Sequence, residues 1–341
     1  MHRRNFLALS IAAGMASALK VKAQPVANRL LGPALKKGSR VGIVSPGTAV
    51  SDPEDIYRAK EAVEYFGLEP VLSDHLLRGS GFKTRAAQER IDDIHAMFAD
   101  NTIEGIFAIR GGYGSAQLLD KLDYGLIAEN PKIFLGYSDI TALHTAIHQQ
   151  TGLVTFHGPV MLSSFSEYTA EHLQKMIFGS DENIILKNPD EMSGIRESFP
   201  TMPIRPGTAE GDLAGGNLTI ISTTMGTPYE IETAGKILFL EDVGEKAYSI
   251  DRMLTQLRLA GKFDNVAGVI FGKCADCEGS PGLWDPDVAE VAFNLLSDLD
   301  CPVLYGLLIG HTENQMTLPI GIKAKLDADA GTVELMERWV K

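Results

Sequence analysis

From Arg40 onward, two kinds of segment alternate along the chain, and they differ in the spacing of their hydrophobic and polar residues. Short apolar runs, typical of buried strands, alternate with longer segments in which apolar residues recur every three or four positions, as they do in helices. Apolar strands that alternate with helices predict a mainly parallel sheet covered by helices on both faces. The predicted strands are 41–47, 69–74, 106–109, 133–135 and 153–161, and the predicted helices are 53–66, 84–100 and one that starts at 139.

The second half of the chain has the same alternation after a break. Residues 187–207 are charged and contain several prolines, which is typical of a connector. Residues 316–337 alternate with period two and predict a terminal β-ribbon. Between these segments the pattern predicts strands at 236–242 and 266–272 and helices at 248–260 and 287–297. A second, mixed α/β domain is therefore expected.

The first 23 residues have the layout of an export signal. Arg3 and Arg4 precede an apolar run at 6–19, and Ala23 is the expected cleavage position. The run is shorter than a typical transmembrane helix, so we expect no membrane span in the mature chain. The arginine pair resembles the twin-arginine signal and predicts a periplasmic protein, with a general secretory signal as the alternative. The predicted organisation is an export signal at 1–23, an arm at 24–39, an N-terminal domain at 40–186, a linker at 187–207 and a C-terminal domain at 208–341.

Composition and charge exclude some classes of function. Of the 341 residues 45% are hydrophobic and 22% are charged, as in ordinary globular proteins. The formal net charge of −13 argues against a nucleic-acid partner, because no basic stripe is available to neutralise phosphates. Cys274 and Cys277 form a C-x-x-C without the second pair that a zinc site needs. We expect packing for these cysteines first, a local disulfide second and metal binding third.

Ser138 stands where an apolar run becomes a helix, after a glycine that permits a sharp turn. A strand–turn–helix with serine at the bend can present a nucleophile. A serine at this place can equally cap the helix by accepting a hydrogen bond from a free N–H of the first turn. The local pattern alone favours the cap.

Two further side chains occupy positions typical of catalytic groups. Glu241 ends an apolar strand, and His311 follows another apolar run in a polar loop. The carboxyl ends of strands in open α/β sheets line the ligand crevice. A serine, a histidine and a carboxylate together can deprotonate a hydroxyl and stabilise the resulting imidazolium.

Other motifs are weaker. "RGGYGS" (110–115) lies between a strand and a helix and could cradle a phosphate, approach an oxyanion or simply make a tight turn. It is neither G-x-G-x-x-G nor a P-loop. His144 and His148 lie four apart on a predicted helix without the glutamate of H-E-x-x-H, so local packing and surface hydrogen bonds are expected for them.

Six segments, in order and at characteristic spacing, resemble the LD-carboxypeptidases, serine peptidases that trim murein tetrapeptides, and the related microcin-immunity peptidases. The resemblance extends from about Arg40 to Leu335. The segments are "RGGYGS", "GYSDITALHT", "TFHGP", "GDLAGGNLTII", "FLEDVGEKAYSIDRML" and "GHTENQMTLPIG".

The resemblance implies a site and a fold. It places the nucleophile on Ser138, the general base on His311 and the orienting acid on Glu241. It implies a Rossmann-like N-terminal domain, a smaller mixed α/β C-terminal domain, a homodimer, and no metal or other cofactor. The oxyanion hole maps to the backbone of Gly111, Gly112 and Asp139, and the candidates for binding the substrate are Arg110 and Asn217.

The implied reaction is hydrolysis of an L,D peptide bond that releases D-alanine from a murein tetrapeptide. A microcin-immunity-like peptidase acting on peptide-nucleotide amides is one alternative. An α/β-hydrolase esterase is another, although Ile140 stands where G-x-S-x-G requires its second glycine. A nonenzymatic periplasmic binding protein of two α/β domains is the third.

Overall fold

The computed structural model describes residues 29–79, 83–179, 184–277 and 287–341. The predicted export signal (1–23) and the first residues of the predicted arm lie outside the described residues. The described strands, numbered along the chain, are β1 Arg40–Val44, β2 Glu69–Leu72, β3 Gly105–Ala108, β4 Ile133–Gly136, β5 Thr155–His157, β6 Ile185–Leu186, β7 Met192–Ser193, β8 Arg196–Glu197, β9 Met202–Arg205, β10 Thr208–Asn217, β11 Lys236–Glu241, β12 Gly268–Phe271, β13 Val303–Tyr305, β14 Leu318–Ile320, β15 Lys323–Asp327 and β16 Thr332–Leu335.

Helices cover the segments between most of these strands. Asp52 caps the first helix by accepting from the N–H of Glu54, and the buried Ile56, Ala59 and Val63 lie on one face of it. No helix in the described part of the chain is long and apolar enough to cross a membrane. The helices are α1 Pro53–Tyr65, α2 Asp74–Arg78, α3 Ala87–Ala99, α4 Tyr124–Glu129, α5 Thr141–Thr151, α6 Glu167–Phe178, α7 Leu218–Thr224, α8 Ala247–Leu259 and α9 Val288–Leu296, with 3-10 turns at Ser115–Leu118 and Ser138–Ile140.

The first sheet has the strand order β14-β5-β4-β3-β1-β2. Its five strands from the N-terminal segment are parallel, and β14 pairs antiparallel with β5 at the edge. Both faces are covered: Phe134 packs in a core with Leu143 of α5, and the next residue, Leu135, packs in a second core. The predicted parallel α/β sheet is confirmed.

The second sheet has the order β6-β16-β15-β10-β11-β12-β13-β9. Its centre, from β10 to β13, is parallel, and the strands outside it are antiparallel. The predicted mixed α/β character of the C-terminal part is therefore confirmed. Leu135 of the first sheet and Phe239 of β11 belong to the same buried cluster, so the two sheets share a core. That shared core brings the ends of β4 and β11 to one region.

Several elements differ from those that the pattern predicted. Strand β14, expected in a terminal ribbon with β15 and β16, joins the first sheet, because Gly321 turns the chain with φ +89°. The predicted connector contains the hairpin β7–β8 and strand β9, which pairs with β13. Helix α6, which begins at the cap Ser166, was not predicted.

The C-x-x-C also differs from its first expectation. Cys274 and Cys277 form a disulfide in the turn after β12, rather than packing as two thiols. The turn sets their α-carbons 5.5 Å apart, within bridging distance. Cys301 is a free, buried cysteine.

Candidate active site

Ser138 lies at the tip of a tight bend between β4 and α5. Its φ of +63° is in the left-handed region that non-glycine residues seldom adopt. The bend closes because Gly136 has no side chain: a Cβ there would lie 3.0 Å from side-chain carbons of Ile140. Ile140 is the N-cap residue of α5, and no side-chain cap bond forms there or at the preceding 3-10 turn. The cap interpretation of Ser138 was therefore wrong, and the bend exposes its hydroxyl to a cavity instead.

His311 and Glu241 form a hydrogen-bonded pair across 70 residues of sequence. Glu241 ends β11 fully buried, and its Oε2 lies 2.8 Å from Nδ1 of His311. A carboxylate can only accept here, so the neutral imidazole carries its proton on Nδ1 and leaves Nε2 free to accept another. Gly310 allows this contact: its φ is +83°, and a Cβ there would lie 1.9 Å from Oε2 of Glu241.

Tyr137 connects the serine bend to the histidine. Its ring lies 4.6 Å from the ring of His311, centre to centre. Burial raises the pKa of the Tyr137 hydroxyl. Ser138 and His311 line the same cavity, so the structure brings together all three residues that the sequence resemblance proposed.

The glycine turn after β3 lies directly against Ser138. A Cβ on Gly111 would lie 2.9 Å from the Cβ and 3.2 Å from the Oγ of Ser138. Within the described part of the chain, no hydrogen bond engages the N–H of Gly112 or of Asp139. Unpaired N–H groups beside a nucleophile can stabilise an oxyanion, which is the role predicted for this turn.

Buried polar contacts hold the glycine turn in place. Oδ2 of Asp139 accepts from the N–H and the hydroxyl of Ser115, at 2.9 and 2.6 Å. The guanidinium of Arg90 donates to the carbonyls of Pro46 and Gly114 and to the side chain of Gln117. Burial lowers the pKa of Arg90, and the charge of Asp139 opposes that shift.

Two cavities border His311. The smaller, about 340 Å³, is also lined by Ser138, Gly111, Gly112 and Arg110. The larger, about 540 Å³, lies beside the disulfide and the start of α9. A substrate that reaches Ser138 can therefore extend to either side of the histidine.

The two candidates for binding the substrate lie in different surroundings. Arg110 lines the smaller cavity. Asn217 is buried at the end of β10, where its amide donates to Asp242 and its oxygen accepts from Ile220. Sequence reasoning missed Arg58, which reaches the smaller cavity from α1. No local pattern marks Arg58, because only the packing of α1 against the first sheet, beside β2, brings it there.

The histidine pair on α5 is an internal feature. His144 is fully buried, and its Nε2 lies 2.8 Å from the carbonyl of Gly136. His148 is partly buried, and its Nδ1 lies 3.0 Å from the carbonyl of Leu153. The expected local packing is therefore confirmed for the pair, whereas the expected surface hydrogen bonds are wrong for His144. Burial lowers the pKa of each to about 4. Among the residues that the structure describes, no group of three or more His, Cys, Asp and Glu side chains is arranged to hold a metal ion.

Comparisons with known proteins match nearly the whole described chain. Family models for the N-terminal and C-terminal domains of LD-carboxypeptidases match residues 41–158 and 210–326. A probable murein peptide carboxypeptidase of Bacillus subtilis (strain 168) is 38% identical over 297 residues, which cover 86% of this chain and 90% of that protein. The microcin C7 self-immunity protein MccF of Escherichia coli is 30% identical, over 91% of this chain and 97% of that protein. The crystal structure of an MccF-like protein from Bacillus anthracis str. Ames superposes with a TM-score of 0.80 at 28% identity, covering 91% of this chain and all of that one.

Proposed function

Because the chain belongs to the LD-carboxypeptidase family and is a serine-type carboxypeptidase, we propose that it releases terminal D-alanine from murein tetrapeptides. The observation that carries the proposal is the pair Glu241–His311, held at 2.8 Å and bordering the cavity of Ser138. The similarity to the probable murein peptide carboxypeptidase of Bacillus subtilis supports a murein peptide as the substrate.

The proposed mechanism is acyl transfer through a serine ester. Nε2 of His311 takes the proton of the Ser138 hydroxyl while Oγ attacks the carbonyl of the L,D peptide bond. The N–H groups of Gly112 and Asp139 would bind the oxyanion, with Gly111 leaving room for it. His311 then gives the proton to the leaving amine of D-alanine. A water molecule, deprotonated by the same histidine, hydrolyses the ester.

Glu241 would act only through the histidine. Its carboxylate accepts from Nδ1–H, which fixes the tautomer and stabilises the imidazolium that forms during the attack. Burial of the carboxylate strengthens that interaction because water does not screen it.

A second candidate is a microcin-immunity-like peptidase that cuts peptide-nucleotide amides. The identity of 30% to the microcin C7 self-immunity protein supports it, as does the fold shared with the MccF-like protein. Both candidates use the same serine chemistry, and they differ in the group that leaves.

The site of action and the assembly are also proposed. The residues 1–23 would direct the chain to the periplasm by the twin-arginine route, and the mature protein would form a homodimer. Replacing Arg3 and Arg4 with lysine keeps the charge and should stop export by that route. Continued efficient export with cleavage near Ala23 would indicate the general secretory route.

Light scattering of the purified protein measures the mass of the assembly and so tests the proposed homodimer.

One assay separates the candidate functions. The purified mature protein is incubated with a murein tetrapeptide, a peptidyl-nucleotide amide and a simple ester, with Ser138→Ala as the matched inactive control. Tripeptide and free D-alanine from the wild type alone would support the proposal. Cleavage of the amide without tetrapeptide turnover would favour the immunity-type peptidase. Cleavage of the ester alone would favour the esterase, and tight binding without any turnover would favour the binding protein.

Activity should also survive exhaustive chelation, and a loss that zinc restores would contradict the serine mechanism.

A further inference from the structure

A buried threonine at the start of α5 binds the strand that runs beside Glu241. Oγ1 of Thr141, three residues after Ser138, accepts from the N–H of Asn217 at 3.0 Å. Asn217 ends β10 and is paired with Glu241 at the end of β11. The two elements are in close contact, since a Cβ on Gly216 would lie 2.6 Å from Oγ1 of Thr141. The helix that follows the serine is thereby joined to the strand end that carries the acid.

A second buried threonine binds the loop of His311. Oγ1 of Thr169, on α6, accepts from the N–H of Gln315 at 2.8 Å and donates to the carbonyl of Glu313 at 3.2 Å. These two partners follow His311 by four and two positions in the chain. A helix that precedes residues 187–207 therefore holds the loop that carries the histidine.

These hydrogen bonds constrain the site in a way that the shared core does not. Hydrophobic burial is non-directional, so the apolar contact between the two sheets does not by itself fix one relative position. A hydrogen bond is directional and limits the distance between its N–H and oxygen partners to about 2.7–3.2 Å. Proton transfer from Ser138 to His311 requires a comparable separation of about 2.6–3.2 Å. The serine and the histidine belong to different sheets, so this separation depends on how the two sheets are held.

We propose that Thr141 and Thr169 are positioning residues that together set the distance between the hydroxyl of Ser138 and Nε2 of His311. Thr141 holds the strand ends beside the acid against the helix of the serine, and Thr169 holds the loop of the histidine. Both hydroxyls are buried and bind backbone, so they affect the reaction only through position. The inference rests on the proposed function and deepens it, because it assigns a role in the rate to the contact between the two sheets.

Replacement by valine removes each hydroxyl and keeps the branched shape of the side chain. Thr141→Val leaves the N–H of Asn217 without its acceptor, and Thr169→Val does the same to the N–H of Gln315. A misplacement of about 1 Å can cost about 100-fold in rate, so we expect kcat for a murein tetrapeptide to fall about 10- to 100-fold in each variant, with KM changed by less than about 3-fold. Thr141→Ser and Thr169→Ser keep the hydroxyl and should retain kcat within about 3-fold of the wild type.

Thr233→Val is the matched control. Thr233 is also buried, and its hydroxyl donates to the carbonyl of Lys262 near the start of β11, at the opposite end of the strand from Glu241. The melting temperature should fall by a similar amount in all three valine variants, because each loses one buried hydrogen bond. Only Thr141→Val and Thr169→Val should lose kcat. If either of these two does not fold, alanine at the same position leaves room for water to reach the freed N–H and gives the same comparison.

A fluorophosphonate measures the same geometry without a peptide. Oγ of Ser138 attacks the phosphorus, fluoride leaves, and His311 takes the hydroxyl proton. The rate of labelling should fall in Thr141→Val and Thr169→Val by about the same factor as kcat and stay unchanged in Thr233→Val. Ser138→Ala verifies that the label is on the serine.

The outcomes distinguish the inference from the function on which it rests. Folded valine variants at positions 141 and 169 that lose no more kcat and labelling rate than Thr233→Val would refute the positioning role but not the proposed function. Equal losses in the valine and serine variants would also refute it, because the hydroxyl would then not matter. A wild type that is labelled at Ser138 but releases no D-alanine overturns the proposed function, and the labelling rates alone then decide the positioning role. A wild type that is neither labelled nor active overturns both.

Discussion

Glu241→Gln tests the catalytic geometry most directly, because it removes a charge and almost no volume. Oε2 of Glu241 accepts from Nδ1 of His311, and Oε1 is buried without a hydrogen-bond partner in the described part of the chain. A glutamine can place its NH₂ at either position. Facing His311, the NH₂ forces the wrong tautomer, with the proton on Nε2. Facing away, it puts a buried donor where the carboxylate oxygen had no partner.

The loss of charge sets the size of the effect. During the attack His311 becomes an imidazolium beside this carboxylate. Two unit charges about 4 Å apart attract by about 4 kcal/mol at an effective dielectric constant of about 20. Because each 1.4 kcal/mol is a factor of ten in rate, the charge alone accounts for about 10³ in kcat. The wrong tautomer adds to this loss, and the corresponding aspartate-to-asparagine exchange in another serine protease lowers kcat about 10⁴-fold.

The assay measures kcat and KM for release of D-alanine from a tetrapeptide. We expect kcat to fall by about 10³ to 10⁴, with KM little changed, since Glu241 lies behind His311 and away from the substrate. His311→Ala should cost at least as much, and the double variant little more than the worse single one, because the two groups act as a unit.

Glu245→Gln is the matched control, four residues further along the same loop. Asp242 is a poorer control, because its carboxylate accepts from Thr219 and Asn217 and its loss would disturb the loop itself. A folded Glu241→Gln enzyme with near-normal turnover would refute the assigned role. So would an indispensable Glu245 beside a dispensable Glu241.

Three further changes test other parts of the site and its support. Gly111→Ala puts a methyl group 2.9 Å from the Cβ of Ser138 and should lower kcat by about 10²-fold, whereas unchanged turnover would contradict the contact. Arg90→Met leaves the carbonyls of Pro46 and Gly114 without their donor, so the free energy of unfolding should fall by about 2 kcal/mol and the melting temperature should fall with it. An unchanged melting temperature would contradict this supporting role of Arg90. Burial lowers the pKa of His144 to about 4 from its ordinary 6.5, so the unfolded chain binds the proton first as the pH falls. The stability present above pH 6.5 should therefore decrease progressively towards pH 4, with up to about 3 kcal/mol of the loss coming from His144 and a further share from His148. Calorimetry that shows constant stability across this range would refute the buried neutral histidine.

The sequence by itself determined the local parts of this protein. Apolar runs and helical spacing marked most strands and helices, because burial and periodicity are properties of neighbouring residues. The strand β4 and the helix α5 around Ser138 were visible for that reason. The choice between cap and nucleophile was not, because it depends on a φ angle and on which cavity the hydroxyl meets.

Tertiary structure decided everything that joins distant segments. The bond between Glu241 and His311 depends on a shared core that holds two sheets together, and sequence suggested the pair only through resemblance to a family. Strand β14 was expected in a ribbon with β15 and β16, but it pairs with β5, because the free edge of a sheet is set by how other strands have packed. The place of Arg58 in the smaller cavity beside Ser138 follows from the packing of α1, since the periodicity of a helix does not specify which cavity its exposed side chains line.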